Sequence, residues 1–82
     1  MRKSVVIRMK DELEARPIAN LVQAATGYVS QTYLEVGDKR VNVKSIMGMM
    51  SLALMDGDTV VLDVQGEDED EAFIALKKLL AE

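Results

Sequence analysis

Along the first nine residues, Lys3, Val5, Ile7 and Met9 alternate with Ser4, Val6 and Arg8, the two-residue period of a strand with one buried face. A charged stretch, Lys10-Asp11-Glu12-Leu13-Glu14, interrupts that period and reads as a loop. Pro17 then marks a first helical turn, where its missing N–H and fixed φ cost nothing. Ile18, Leu21, Val22 and Ala25 form a helical stripe, and Gly27 is placed to end the helix in the left-handed conformation. The period returns to two around Thr32–Val36 and Arg40–Val43. This puts Leu34, Val36, Val41 and Val43 on one face, joined by a tight turn at Gly37-Asp38. A short helix is predicted from just after Ser45 to about Ala53. Asp56-Gly57-Asp58 is a turn, and Thr59–Val64 reads as a strand with Val60, Leu62 and Val64 inward.

The last element has the clearest signature. Asp68 and Glu71 form an Asp-x-x-Glu helix start, acids crowd the first turn, and Lys77 and Lys78 lie near the end, all in keeping with the helix dipole. Ala72, Phe73, Leu76, Leu79 and Leu80 are its expected buried stripe. The order β-α-β-β-α-β-α predicts an α+β fold, an open-faced β-sandwich whose four-stranded antiparallel sheet is covered on one face by three helices. With 82 residues and no repeat or linker, residues 1–82 are expected to form a single domain around one modest core.

Composition narrows what such a domain does. There is no cysteine, which excludes disulfides, thiolate chemistry and cysteine-based zinc sites, and there is no histidine, which removes the commonest general base and metal ligand. Catalysis would rest on carboxylates, lysines or hydroxyls alone, and no constellation of those stands out. The chain is therefore expected to be a non-enzyme with no cofactor and no metal. The N-terminal apolar run is too short for a signal peptide, and no stretch is long enough to span a bilayer, so a cytoplasmic location without membrane contact is expected. The net charge of −4 is unevenly spread: residues 1–45 carry eight Lys/Arg against five Asp/Glu, residues 46–82 two against nine. An acidic chain lacks the basic footprint that nucleic acid demands, and a charge-split surface suits a protein partner.

Three segments are candidates for chemistry. Ser45 lies between a strand-like and a helix-like run and is the natural N-cap; the plainer reading is that its hydroxyl satisfies one free N–H, for roughly 1 kcal/mol. Two neighbours raise its interest. A phosphate on an N-cap meets free N–H groups and the positive dipole end. The helix behind it, with Ile46, Met47, Met49, Met50 and Leu52, is apolar nearly all round, so part of it must face solvent as a partner site, although Met49 and Leu52 also suit a core. Arg16 beside a helix start is a candidate anion or carboxylate clamp, with Glu14 just ahead of it; a capped helix with a solvated Arg–Glu pair is the plainer account. The run Glu67–Glu71 lacks the spacing of a calcium loop and reads as a solvated helix start.

Ala15-Arg16-Pro17 after a first strand, followed by Val41-Asn42-Val43-Lys44-Ser45-Ile46-Met47-Gly48-Met49-Met50-Ser51-Leu52 and by Gly57 and Gln65-Gly66-Glu67-Asp68-Glu69, resembles the HPr family over essentially the whole chain. HPr is the histidine-containing phosphocarrier of the bacterial sugar phosphotransferase system, and the Lys-Ser-Ile-Met-Gly string is similar to its form in Firmicutes. The resemblance implies the open-faced sandwich and two phosphorylation positions. The carrier histidine stands immediately before Ala-Arg-Pro, where this chain has Glu14, so the relay of phosphate from enzyme I to a sugar permease is not expected. The regulatory serine is present as Ser45. Serine kept and histidine lost resembles the Crh group (catabolite repression HPr), whose members commonly carry glutamine where Glu14 stands.

What the resemblance implies is phosphorylation of Ser45 by HPr kinase/phosphorylase, after which the phosphoserine form acts as corepressor of a catabolite control protein A-type transcription regulator. Arg16, Asn20, Gln23, Lys44, Ile46, Met47 and Met50 are the expected partner-binding residues, and the chain is expected as a monomer or weak homodimer. The alternative is a phosphotransferase-system carrier component, or a mimic of phosphohistidine HPr, acting through Glu14. A third reading, binding without phosphorylation, implies that Ser45→Ala binds as well as the parent.

Overall fold

The structure, a computed structural model, describes residues 1–8, 15–52 and 54–81, and of residues 15–17 the backbone alone. Seven elements follow in the expected order: β1 Arg2–Val6, α1 Ala15–Thr26, β2 Gln31–Val36, β3 Lys39–Asn42, α2 Ile46–Met50, β4 Thr59–Gln65 and α3 Glu69–Leu80. The strands form one antiparallel sheet in the order β1-β4-β2-β3. β4 pairs with β1 through Lys3↔Leu62 and Val5↔Val60 and with β2 through Leu34↔Leu62, and β2 pairs with β3 through Leu34↔Val41. Because side chains alternate along a strand, this register collects Val5, Leu34, Val60, Leu62 and Val64 on one face.

That face is buried under the helices. α1 contributes Ile18, Leu21 and Ala25, α3 contributes Ala72, Phe73, Leu76 and Leu80, and Met49 from α2 joins Val43, Leu52 and Leu54. α1 lies against both α2 and α3. The α+β open-faced sandwich predicted from periodicity is thus the fold observed. Gly37 makes the β2–β3 turn in a left-handed conformation, φ 62°.

Four expectations are corrected. α2 ends at Met50, short of Ala53, which lies outside the described residues; its last turn closes by i→i−3 bonds, Ser51 N–H to the Gly48 carbonyl and Leu52 N–H to the Met49 carbonyl, both 3.2 Å, and the chain then leaves to bury Leu52 and Leu54. Gly27 is not left-handed: α1 also tightens at its end, with Gly27 N–H on the Ala24 carbonyl and Tyr28 N–H on the Ala25 carbonyl. Asp68 is the N-cap of α3 by position, but its carboxylate makes no capping bond. It instead accepts from the N–H groups of Val29 and Ser30, each at 3.0 Å, and from the Ser30 hydroxyl, tying the start of α3 to the start of β2. Leu79 is exposed, because the buried stripe of α3 is centred on Leu76 and Leu80 and Leu79 falls at its edge. The strand role expected of Met9 falls outside the described residues; β1 ends at Val6, and Ile7 remains buried and donates its N–H to the Asp58 carbonyl at 2.8 Å.

Candidate functional site

Ser45 is delivered by the end of β3. Val43 N–H bonds back to the Thr32 carbonyl at 2.9 Å, the Asn42 side chain accepts from Lys44 N–H at 2.9 Å, and Ser45 N–H donates to the Asn42 carbonyl at 3.0 Å. This local turn stops the strand and holds Ser45 extended, φ −102° and ψ 111°, the geometry of an N-cap. Its carbonyl accepts from Met49 N–H at 3.0 Å and its Oγ from Gly48 N–H at 3.2 Å. The Ser45 hydroxyl is half-buried and, among the described residues, keeps its own hydrogen undonated. A side-chain oxygen with a fixed position and a spare proton is the chemical requirement for an acceptor of a phosphoryl group. With only five residues in α2, the dipole that Ser45 meets is small, and local N–H groups carry the electrostatic support.

Beside Ser45 the apolar helix divides as its spacing allows. Met49 is fully buried, whereas Met47 is 81% exposed, Met50 50% and Ile46 45%. An uncovered cluster of Ile and two flexible Met residues adjoins the hydroxyl directly. Lys44 turns away from it, donating its ammonium to the Tyr28 carbonyl at 2.9 Å, so it ties the helix-end loop to the strand end. Asn20 and Gln23 are exposed on α1, the helix packed against α2, and make no direct bond to the Ser45 cluster. Glu14 and the Arg16 side chain, expected to flank the same surface, lie outside the described part. Among the described residues no group of three or more carboxylates is placed to hold a metal, and no helix is long and apolar enough to cross a membrane.

Residues 1–82 match the family profile described as PTS HPr component, phosphorylation site. The chain belongs to the HPr family. The HPr-family chain is 49% identical to the HPr-like protein Crh of Bacillus subtilis over 81 residues, 99% of this chain and 92% of that protein. It superposes on a phosphocarrier protein HPr from Bacillus anthracis with a TM-score of 0.91 at 39% identity, covering 98% and 95% of the two chains. A crystal structure of B. subtilis Crh, a swapped-domain dimer, matches with a TM-score of 0.77 at 49% identity, covering 92% and 86%.

Sequence reasoning missed an ionic cluster on the uncovered face of the sheet. Asp63, 3% exposed, points outward from the middle of β4. Arg40 of β3 donates to it at 3.0 Å, Gln65 donates at 3.1 Å, and Arg2 of β1 lies 3.5 Å away. Both arginines also pair with Glu35 of β2, and the Arg40 guanidinium sits 4.2 Å from the centre of the Tyr33 ring. The hydrogen bond from Arg2 holds the Glu35 carboxyl down at about 2, with Arg40 adding to it. For Asp63 burial works against ionisation, but bonds from Gln65 and Arg40 and the charges of both arginines outweigh it, and the carboxyl falls below its ordinary value. The one available signal was Asp63 itself, an acid inside the apolar run Val60–Val64 at the outward position.

Proposed function

We infer that this chain is a single-domain, non-enzymatic regulatory HPr of the cytoplasm. In this reading Ser45 is phosphorylated by HPr kinase/phosphorylase and the phosphoserine form is a corepressor of a catabolite control protein A-type transcription regulator. The observation that carries the reading is the juxtaposition of the fixed Ser45 hydroxyl with the exposed Ile46, Met47 and Met50. In the transfer, Ser45 Oγ attacks the γ-phosphorus of ATP, ADP leaves, and the hydroxyl proton passes to a base on the kinase. The new dianion adds one to three charge-assisted hydrogen bonds to an apolar contact that already exists, each worth about 1.5–3 kcal/mol. That is enough to switch a weak complex to a useful one. Asn20 and Gln23, exposed on α1, supply the polar rim, and Arg16 is the further partner-binding residue that the resemblance implies. The similarity to Crh supports a role in regulation, and glutamate at position 14, where the carrier histidine of the family stands, argues against relay of phosphate to sugars.

The test is a pair of incubations, one with ATP and HPr kinase/phosphorylase, one with phosphoenolpyruvate and enzyme I, each followed by mass spectrometry of the modified residue. Phosphate on Ser45 from ATP, absent in Ser45→Ala, and tighter binding of the modified form to the regulator are expected. Label at Glu14 from phosphoenolpyruvate, with Ser45 untouched, overturns the reading in favour of a carrier. Equal regulator binding by Ser45→Ala and the phosphorylated parent overturns it in favour of a phosphate-independent partner.

A further inference from the structure

α3 carries a second exposed apolar surface, on the side away from the core. Ile74, in the middle of the helix, is 55% exposed, and with Ala75, Leu79 and Tyr28 it lines an open groove of about 650 Å³ whose two ends are Glu71 and Lys78. Glu71 and Lys78 are seven residues apart, about 10 Å along the axis, too far to pair with one another, and neither forms an ion pair within the chain among the described residues. At 100° per residue, positions 71, 74, 75 and 78 fall within one stripe, so acid, apolar centre and base follow one another along a single line.

That line is its own complement when reversed. We propose that the outer face of α3 docks on α3 of a second copy, the two helices running antiparallel about a two-fold axis that passes between Ile74 and Ala75. Ile74 of one copy then meets Ala75 of the other, and Glu71 meets Lys78 at both ends. The acids of the first turn, Glu69, Asp70 and Glu71, lie over the region of Lys77 and Lys78 of the partner helix, and the two helix dipoles oppose, which is their favourable arrangement. A single contact serves twice, as an isologous interface requires. A 12-residue helix spans about 18 Å, so a helix pair buries less than the ~1,200 Å² of stable complexes, and the dimer is weak and in rapid exchange. It uses no residue of the Ser45 surface, so its fate is independent of the proposed phosphorylation.

The experiment is sedimentation equilibrium and NMR line width of the full chain over a concentration series reaching the millimolar range. It is run on the parent, Ile74→Glu, Glu71→Lys, Lys78→Glu and an equimolar mixture of the last two, with circular dichroism confirming that each exposed-site variant is folded. The parent is expected to show concentration-dependent dimer, and Ile74→Glu none. Each charge variant alone places like charges opposite one another and is expected to weaken dimerisation about tenfold or more, while the mixture, in which both pairs are again of opposite sign, recovers it. A parent that stays monomeric throughout overturns the proposal. So does a dimer unaffected by Ile74→Glu, which would belong to strand exchange or another surface, and so does a mixture that associates no better than its components.

Discussion

Replacing Gly66 with alanine is expected to be among the most damaging single-methyl additions in this chain, and the structure supplies the size of the effect. Gly66 has φ 151°, and a Cβ at this residue would lie 2.6 Å from both the Cα and the Oγ of Ser30 and 2.9 Å from its Cβ. Ser30 is in no position to retreat, since it is buried and its N–H and hydroxyl are both bound to Asp68. Overpacking of this kind costs about 1–3 kcal/mol and an unsuitable backbone conformation another ~1–3, so Gly66→Ala should lose about 2–6 kcal/mol. A domain of this size has about 4–12 kcal/mol in total. Gly37→Ala is the control: its φ of 62° is also positive but lies in the milder αL well, and nothing lies within 4 Å of the added methyl, so about 1 kcal/mol is expected. Urea unfolding followed by circular dichroism, with the slope checked for constancy, measures both. Equal losses in the two variants would refute the steric argument and leave only backbone conformation.

Met47→Ala should change stability by less than about 0.5 kcal/mol while weakening partner binding, whereas Met49→Ala, two residues away and fully buried, should cost about 2–5 kcal/mol; urea midpoints beside a binding titration separate the two. Ser45→Ala removes the acceptor for Gly48 N–H and should cost about 1 kcal/mol, with faster amide exchange confined to α2, and Ser45→Asp should recover part of it. Glu35 titrates at about 2 when folded against an ordinary 4.5, so its stabilisation is complete above about pH 4.5 and is lost as pH falls toward 2. The stability difference between the parent and Glu35→Gln should therefore be flat at neutral pH and shrink below about 4.5; a difference that holds constant down to pH 3 counts against the ion-pair account.

The period-two and period-3.6 patterns made the element order and most of the core legible, because burial of Val5, Leu34, Leu62, Leu76 and Met49 depends only on which face each residue takes. What the pattern did not contain was register. Asp63 was recognisably outward, but only the pairings Arg2↔Asp63, Tyr33↔Asp63 and Glu35↔Arg40 bring its two arginines together from β1 and β3. The same holds for Asp68: its position at a helix start suggested a cap, and the long-range approach of Ser30 redirected it. Ser45 was readable as an N-cap because capping is local. That part of the helix behind it faces solvent followed from a short helix having one buried stripe; which methionines do so is visible only in the structure. Arg16 and Glu14 are legible as candidates from their place at a helix start, and the resemblance alone gives them roles.

Within eight residues, 45–52, the chain interleaves positions owned by the fold with positions left open to solvent. Ser45, Met49 and Leu52 are bound or buried, while Met47 stands almost clear of the fold and Ile46 and Met50 are half exposed. Variation is therefore cheapest in stability at Met47, and at Ile46 and Met50 it alters an outer half that faces solvent. Under the proposed function, a lineage could thus retune which regulator it addresses by exchanging the exposed side chains on a largely unchanged frame, with the serine beside them kept for modification.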